Sequence, residues 1–584
     1  MNRTNRWILF LILPLLLINA YDLTAQKRKS AQKKSAQKKS TQQKSTQKKS
    51  TKTVASKKKV QQSENADTIP SRTVIITSDF KPSLQNAAKI NFTAASNVVD
   101  TTKIPLEYRV PSSNLFFSYE PIAIKPLAMP ADSGLTWINQ HQIKLGAGNL
   151  STIFGEGRFS FGDEKKSITT VEADYISSKS DLFAQQLSKL NLDVISIYNS
   201  PKNIEWTSHA FFNSVTQYRY GFKPTTLNFT KDQLKQVYNT VSLQVGAKNS
   251  TANEAGVNFH PQLSIYRFTD NNSGAENNLI FKLPIEKIFN KVMSFKLTFD
   301  ADIANTKLPI ATINNNLWSL NPAVVFKTPN FILNIGLRPS WDNNQYTMLP
   351  NFTAEGKLSN SPLTLQAGWD GNFQKNSYRS LVAFNPWVGP FSTLLNTQIN
   401  QQYIGVKGNS GNHISYNARI AFQQQKNQPL FLNDALDGKT FTTIYESKLN
   451  ALKLQGEFGY TVQDNLSLLA SASFTQFNAF SVNNYAWGLV PVEITGSMLW
   501  KPMKDLQVKA DLFYLGGSMY KTGTIPPTRL SPGLDLNIGG EFNVQKNWRI
   551  WLQMNNLFNN TYQRWNQYPV FGFNVMAGVV YSFQ

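Results

Sequence analysis

The side chains that could carry metal or nucleophilic chemistry are few in this sequence and stand far apart. The absence of cysteine excludes a disulfide framework, a thiolate metal site and a cysteine nucleophile. The four histidines are His141, His209, His260 and His413, and none has a second ligand at metal-binding spacing. No G-x-S-x-G, H-E-x-x-H, P-loop or G-x-G-x-x-G motif occurs. We therefore predict no enzymatic activity, no metal site and no cofactor.

Charged side chains recur inside runs in which apolar and polar residues alternate. Those that fall on the polar side include Glu172, Asp174, Lys296, Asp300 and Arg419. If the runs are strands that cross a membrane, a charge facing lipid costs about 2 to 4 kcal/mol near the midplane. These charges are therefore expected to line an aqueous lumen, which is a wall position and not by itself a binding site.

The alternation is clearest in the last run of the chain. One face carries Phe571, Phe573, Val575, Ala577, Val579, Tyr581 and Phe583. The other carries Gly572, Asn574, Met576, Gly578, Val580 and Ser582. A period of two residues with unlike faces indicates a strand that separates two environments.

Turn signals divide the rest of the chain into strands of about ten residues. Polar residues with Asn465, Asp505 and Asn547 mark tight turns 40 and 42 residues apart, so each repeat holds two strands, a tight turn and a longer loop. The rhythm runs from about residue 140 to the C-terminus, which predicts about 22 strands. Short turns at one end and long loops at the other are typical of a transmembrane antiparallel β-barrel. The alternative is a soluble all-β fold such as a sandwich or a propeller.

Aromatic residues cluster near the ends of the last strands, where a barrel would carry interface girdles. We expect this position for Trp548, Trp551, Tyr562, Trp565, Tyr568, Tyr581 and Phe583. The outward faces are apolar and aromatic, so the mean hydropathy of −0.32 indicates a polar interior.

The first 25 residues have the pattern of a secretory signal peptide. Arg3 and Arg6 precede an apolar run from Trp7 to Ile18, and Ala25 offers a cleavage point. The run is shorter than the roughly 20 residues of a membrane-spanning helix. An uncleaved N-terminal anchor is the alternative.

Residues 26–67 form a basic arm that is expected to be disordered. Five pentapeptides such as Gln-Lys-Lys-Ser-Ala fill residues 27–51, without a large apolar side chain to offset the entropy of ordering. The formal charge of the whole chain is +23. Beyond residue 59, however, 43 basic residues face 35 acidic ones, so charge does not predict nucleic-acid binding. The arm is predicted to contact an anionic envelope polymer or lipid, or else to be a solvated spacer.

Residues 68–134 are predicted to form an extended periplasmic segment. Between residues 70 and 134 stand seven prolines and one glycine, a composition typical of extended chain. The β-prone run Thr73, Val74, Ile75, Ile76 and Thr77 could add to the edge of a partner's sheet, or pair with the chain's own body.

The stretch Asn556-Leu557-Phe558-Asn559-Asn560-Thr561-Tyr562, with the final strand closing at Phe583, resembles the C-terminus of TonB-dependent outer-membrane receptors. The resemblance implies a 22-stranded barrel over residues 135–584 in the outer membrane of a Gram-negative cell, with outer-membrane lipid around it and the N-terminal arm in the periplasm. It also implies that Gly578, Tyr581 and Phe583 form the signal read by the barrel-assembly machinery. Thr73–Thr77 is similar to the short box that engages TonB.

The chain departs from that family in one respect. The receptors carry a compact plug before the barrel, whereas only the short proline-rich segment 68–134 stands there in this chain. It is therefore similar to the plugless receptor-like barrels of Bacteroidota, and coupling to TonB, or to another periplasmic protein through residues 70–80, is an open expectation. We expect part of 70–134 to enter or cap the lumen.

Two functions agree with this architecture. The first is transport or uptake of an unknown solute through the lumen. The second is a structural or assembly role, in which the barrel anchors an envelope complex and its N-terminal region recruits periplasmic partners. Both require the same fold, so the fold does not choose between them.

Overall fold

The computed structural model describes six stretches of the chain, and they contain the whole of the regular structure discussed below. They are residues 141–163, 166–249, 251–358, 361–462, 465–523 and 526–583. The predicted signal peptide, basic arm, extended segment and Thr73–Thr77 strand lie outside them.

Most of the described chain is antiparallel strand, because a period-two sequence favours strands over helices in regular backbone. The strands are β1 His141–Gly148, β2 Thr152–Asp163, β3 Ser167–Lys179, β4 Gln186–Ser200, β5 Ile204–Tyr218, β6 Lys235–Asn249, β7 Val257–Phe259, β8 Gln262–Asp270, β9 Ala275–Ile288, β10 Met293–Leu308, β11 Ala311–Lys327, β12 Phe331–Asp342, β13 Gln345–Lys357, β14 Leu363–Gln374, β15 Thr397–Ser410, β16 Ile414–Lys426, β17 Gln428–Asn433, β18 Phe441–Glu446, β19 Leu449–Val462, β20 Leu466–Asn478, β21 Val492–Met503, β22 Leu506–Leu515, β23 Met519–Tyr520, β24 Thr528–Arg529, β25 Gly533–Gln545, β26 Trp548–Asn555, β27 Gln563–Trp565, β28 Tyr568–Pro569 and β29 Asn574–Phe583. Two short helices, α1 Lys231–Leu234 and α2 Tyr378–Phe384, lie in connections between them. Neither helix is long and apolar enough to cross a membrane.

The large sheet closes on itself into a barrel. Consecutive strands pair in antiparallel order, and β1 pairs with β29, with Gly146 opposite Gly578. Strands β7 and β8 both pair with β9 and act as one crossing strand interrupted at His260 and Pro261. The barrel therefore has 22 crossing strands, which confirms the predicted fold and strand number.

The two ends of the barrel differ. At one end, the tight-turn end, the three predicted turns at Asn465, Asp505 and Asn547 join their strands, and His141 and Phe583 lie there too. At the other, the loop end, the C-terminal repeats carry the longer loops predicted. Some loop-end connections in the first half of the chain are nevertheless as short as turns, among them 309–310 and 343–344.

The strands have the two unlike faces that the alternation predicted. In β29, Ala577 and Val579 are exposed, whereas Met576 and Val580 between them are buried. Exposed apolar side chains of this kind recur on the outer face of most crossing strands, as a lipid-facing surface requires. The strand begins only at Asn574, so Phe571, which we expected on the outer face, lies in a loop and is buried.

Candidate functional site: the polar lumen and its loop cap

The inner wall of the barrel is lined by charged and amide side chains. The five charges expected there do lie on the inner face. Glu172 forms an ion pair with the Arg158 guanidinium at 3.0 Å, and Asp174 accepts a hydrogen bond from Asn191 at 2.8 Å. Lys296 lies 3.9 Å from Glu286. Cross-strand partners share a face, so each of these contacts places both members inside.

The other two predicted lumen charges make similar contacts. Asp300 accepts a hydrogen bond from the Ser319 hydroxyl at 3.4 Å, and the Arg419 guanidinium lies 4.3 Å from the centre of the Tyr403 ring. Further ion pairs follow the wall around the barrel, among them Lys144–Glu541, Lys248–Glu205 and Lys407–Glu355. The lumen is therefore polar along its circumference, as water or a polar solute requires.

The histidines do not come together in the structure. The His209 Nε2 atom lies 2.9 Å from Asp193 in the lumen, whereas His141 lies among the rings of Phe159, Phe161 and Phe583. His260 contacts Gln262, and His413 Nδ1 lies 2.7 Å from the backbone oxygen of Thr461 in a tight turn. Within the described residues, no group of three His, Asp or Glu side chains could hold a metal ion.

The loop end is covered by six connections that pack against one another, which we call the loop cap. They are residues 219–234, 375–396, 427–448, 479–491, 516–532 and 556–573. The sequence offered no separate signal for this arrangement, since the connections meet through residues that are far apart in the chain, such as Tyr220 and Pro569.

An aromatic cluster joins three of these loops at the centre of the loop cap. The rings of Trp387 and Tyr568 stack with centroids 3.8 Å apart. Trp565, 1% exposed, meets Phe431 and Phe441 edge-on at 5.3 and 5.2 Å. Burying large rings in T-shaped and stacked pairs is a strong source of packing energy. These loops consequently form one packed body.

Neighbouring loops are attached to this cluster by further contacts. The Tyr220 hydroxyl donates to the Pro569 backbone oxygen at 2.9 Å, and its ring lies against Tyr568. Burial raises the pKa of Tyr220, so the hydroxyl stays a donor. Gly488 has a φ of +74°, and a Cβ there would lie 2.7 Å from the Trp565 ring. Only glycine allows that close approach of loop 479–491.

These positions correct the expected aromatic girdle. Trp548, 45% exposed, lies on the outer face as predicted, and its ring contacts that of Tyr581. Trp551, Trp565 and Tyr568, in contrast, are buried, the first inside the wall and the others in the loop cap. Proximity to a strand end in the sequence did not distinguish a ring that faces lipid from one in a loop that folds inward.

A buried carboxylate of the wall holds loop 375–396. Glu276 of β9 is fully buried and accepts hydrogen bonds from Tyr266 and Thr306 on neighbouring strands, both at 2.8 Å. It also accepts the backbone N–H groups of Tyr378 and Arg379 at 2.6 and 3.3 Å. These two amides are in the first turn of α2, where the helix leaves N–H groups unpaired and favours a negative charge.

The base of the same loop is attached by a lysine and an amide cluster. Lys375 Nζ donates to the backbone oxygens of Asn315 and Asp302 at 2.6 and 3.0 Å, and burial lowers its pKa. The Asn396 amide donates to the side chains of Asn315 and Asp342 at 2.7 and 2.6 Å. Loop 375–396 therefore lies against the inner wall of strands β9 to β12.

A second carboxylate joins two loops within the loop cap. Glu446, at the end of β18, is fully buried by loop 479–491. It accepts the backbone N–H groups of Ser481, Val482 and Asn483 at 2.7–2.9 Å, and the Asn483 side-chain amide at 2.9 Å. Burial raises the pKa of Glu446, but these hydrogen bonds outweigh it and leave the pKa below its ordinary value.

The three residues of the predicted assembly signal lie in β29. Gly578 stands opposite both Gly146 and Trp551, and Tyr581 and Phe583 have their rings 5.5 Å apart. The motif that begins at Asn556 forms the turn after β26. The Asn556 side chain donates to the backbone oxygens of Asn560 and Phe571 there.

Comparison with solved structures gives many similar barrels. The FrpB iron transporter from Neisseria meningitidis (F3-3 variant) superposes with a TM-score of 0.58 at 12% identity, covering 76% of this chain and 82% of that one. The copper transporter OprC gives 0.55 at 13% identity, covering 76% and 80%. The siderophore receptor PirA from Acinetobacter baumannii gives 0.58 at 8% identity, again covering 76% and 80%.

Sequence comparison adds no relative. No protein-family model matches the chain, and no curated protein matches it. The likeness is thus one of structure, and it extends over the whole barrel. The chain shares its 22-stranded barrel fold with these solved transporters and receptors, and this is the fold that its C-terminal motif predicted.

Proposed function

We propose that this chain transports or takes up a solute across the outer membrane through its polar lumen, and that the loop cap is the gate at the loop end. The observation that carries the proposal is the packed loop cap over a closed barrel of 22 strands. A barrel of that size would otherwise leave a wide aqueous hole. The loops are attached to the wall by Glu276 and Lys375. In this proposal they block that route and are released when the solute passes.

The similar structures support transport in general terms. Their names describe an iron transporter, a copper transporter and a siderophore receptor. The proposal names no solute, because proteins that share a fold can have different substrates. The absence of enzymatic activity stays a prediction.

We further propose that part of residues 70–134 enters or caps the lumen from the tight-turn end. His141, where the first strand begins, lies at that end, so the preceding chain starts beside the lumen opening. The tight-turn end would then face the periplasm. Thr73–Thr77 would be available there to TonB or another periplasmic protein, and the basic arm to an anionic envelope polymer.

The two ends of the chain are proposed to act in export and in assembly. Residues 1–25 would direct the chain across the inner membrane as a signal peptide. The barrel-assembly machinery would then read Gly578, Tyr581 and Phe583 in the closing strand β29.

Single-channel conductance in planar bilayers tests the gate. We expect the mature chain from Gln26 to be closed. A Glu276→Ala variant that also lacks the residues before Leu135 should open, because it loses the N-terminal segment and both hydrogen bonds between Glu276 and loop 375–396. A variant that starts near Leu135 tests the N-terminal segment separately. If the truncated chain with Glu276→Ala stays closed, transport through the lumen is refuted and an anchoring role gains support. If only the truncation opens, the N-terminal segment and not the loop cap is the gate.

A further inference from the structure

The tight-turn end of the barrel carries a set of exposed lysines, which we call the lysine rim. They are Lys166, Lys202, Lys291, Lys357, Lys501, Lys504 and Lys546. The exposed acidic residues of the described turns at that end are Asp163, Glu254 and Asp505. Asp163 is engaged by the backbone N–H groups of Lys166 and Ser167 at 2.7 and 2.8 Å. The rim is therefore strongly positive.

The lysines are distributed around the barrel. They lie in or beside the turns that follow β2, β4, β9, β13, β21 and β25, which are spread over most of the closed strand order. A folded protein partner would contact one arc of such a rim. A lipid leaflet, in contrast, surrounds the barrel and meets every turn.

Exposed aromatic side chains lie close to these turns on the outer face. They are Tyr198, Trp206, Phe289, Phe331, Trp500, Phe542 and Trp548. The Lys166 ammonium lies 5.9 Å from the centre of the Tyr198 ring. In membrane proteins such rings lie at the level of the lipid head groups, and lysines beyond them extend their ammonium groups toward the interface.

We propose that the lysine rim binds the phosphate head groups of anionic phospholipids in the leaflet around the tight-turn end. A polybasic surface beside a bilayer attracts acidic lipid, and the attraction falls off within a Debye length. The exposed aromatic side chains beside the turns hold the lysine rim at the depth of the head groups. The partner is therefore a lipid surface of negative charge, and the binding is independent of what passes through the lumen.

Lipid retention tests the proposal. The full mature chain is reconstituted in nanodiscs of phosphatidylcholine and phosphatidylglycerol, extracted in mild detergent, and the two bound lipids are counted by native mass spectrometry. We expect phosphatidylglycerol to be enriched at least about threefold over its share of the bilayer, and the enrichment to fall by about half or more in K501Q/K504Q/K546Q. Equal retention of the two lipids by the unsubstituted chain would overturn the proposal.

A matched variant separates the rim from general charge. K223Q/K231Q/K521Q removes three exposed lysines from the loop end and should retain the full enrichment. If it loses as much as the rim variant, the assignment to the rim is wrong. Should the rim variant not fold, the unsubstituted chain decides: enrichment that does not fall between 0.1 and 1 M salt overturns the electrostatic binding.

Discussion

The Trp551 indole N–H donates a hydrogen bond to the backbone oxygen of Leu145, 3.1 Å away and two strands distant. The Trp551 ring can cross β29 because Gly578 and Gly146 beneath it have no side chains. A side chain at either position would collide with the ring or with the adjoining strand. The ring also meets Phe154 edge-on at 5.5 Å, and the Lys144 ammonium lies 4.7 Å from its centre. Trp551 thereby joins the first and last strands of the barrel.

Gly578→Ala should impair closure of the barrel. A Cβ at this position would lie 1.9 Å from the Leu145 backbone oxygen and 2.6 Å from the Gly146 Cα, so β1 and β29 would have to separate. We expect a large loss of the heat-modifiable folded band on a denaturing gel. Gly456→Ala in β19 is the matched control, since nothing lies within 4 Å of its Cβ, and it should fold normally. Equal folding of both variants would contradict the role of this glycine.

Trp551→Ala should destabilise the folded barrel by about 3 kcal/mol, because it removes a buried ring and its hydrogen bond across the seam. Trp551→Phe keeps most of the ring and loses only the indole donor, so about 1 kcal/mol is expected. Urea-induced unfolding in detergent micelles gives both values. Trp548→Ala, on the exposed outer face, should cost less than Trp551→Ala. A reversed order would refute the seam contact.

Glu276→Gln should loosen loop 375–396 while leaving the wall intact. An amide can accept fewer of the four hydrogen bonds and places an N–H against donors. We expect protease cleavage in loop 375–396 to become at least about tenfold faster. Glu286 lies on the same inner face of β9, toward the tight-turn end. The Glu286→Gln variant is therefore the control and should leave the cleavage rate unchanged. Cleavage that responds equally to both substitutions would argue against Glu276 as the anchor.

Acid should loosen the loop cap through Glu446. Its pKa is lowered in the folded chain, so its stabilising effect is complete above its ordinary value of 4.5 and is lost as the pH falls through the lower folded value. Conductance of the chain that starts near Leu135 should therefore rise as the pH is lowered below 4.5. Glu446→Gln should be loosened already at pH 7 and should lose most of this dependence. A retained acid response in that variant would assign it to other groups.

Substitution in the central aromatic cluster should expose two distant loops together, because the cluster joins them. Trp565→Ala removes contacts to Phe431 and Phe441, so it should expose loops 427–448 and 556–573 together. Hydrogen exchange of both loops is expected to rise by a factor of ten or more, with the strands unaffected. Phe558→Ala, an exposed side chain in the same loop, serves as control. Faster exchange in only one of the loops would show that they do not form one body.

The sequence by itself determined the barrel. The alternation around Ala577 and Val579, and the turns at Asn465, Asp505 and Asn547, depend on residues close together in the chain, and a strand that separates lipid from water must show them. The cost of charge in lipid likewise placed Glu172 and Arg419 inside. The count of about 22 strands followed from the spacing of these local signals.

Only the tertiary structure decided what lies inside and over that barrel. Trp565 and Tyr568 were expected at the membrane interface, but they bury themselves against Phe441 and Trp387, which are far away in the chain. In the sequence, Glu276 is one more charged residue of a wall strand. Only the structure shows that it accepts a backbone N–H of α2. Period-two sequence fixes the face of a side chain within its own strand. Loops without a repeat are placed by the partners they meet, and those partners come from distant parts of the chain.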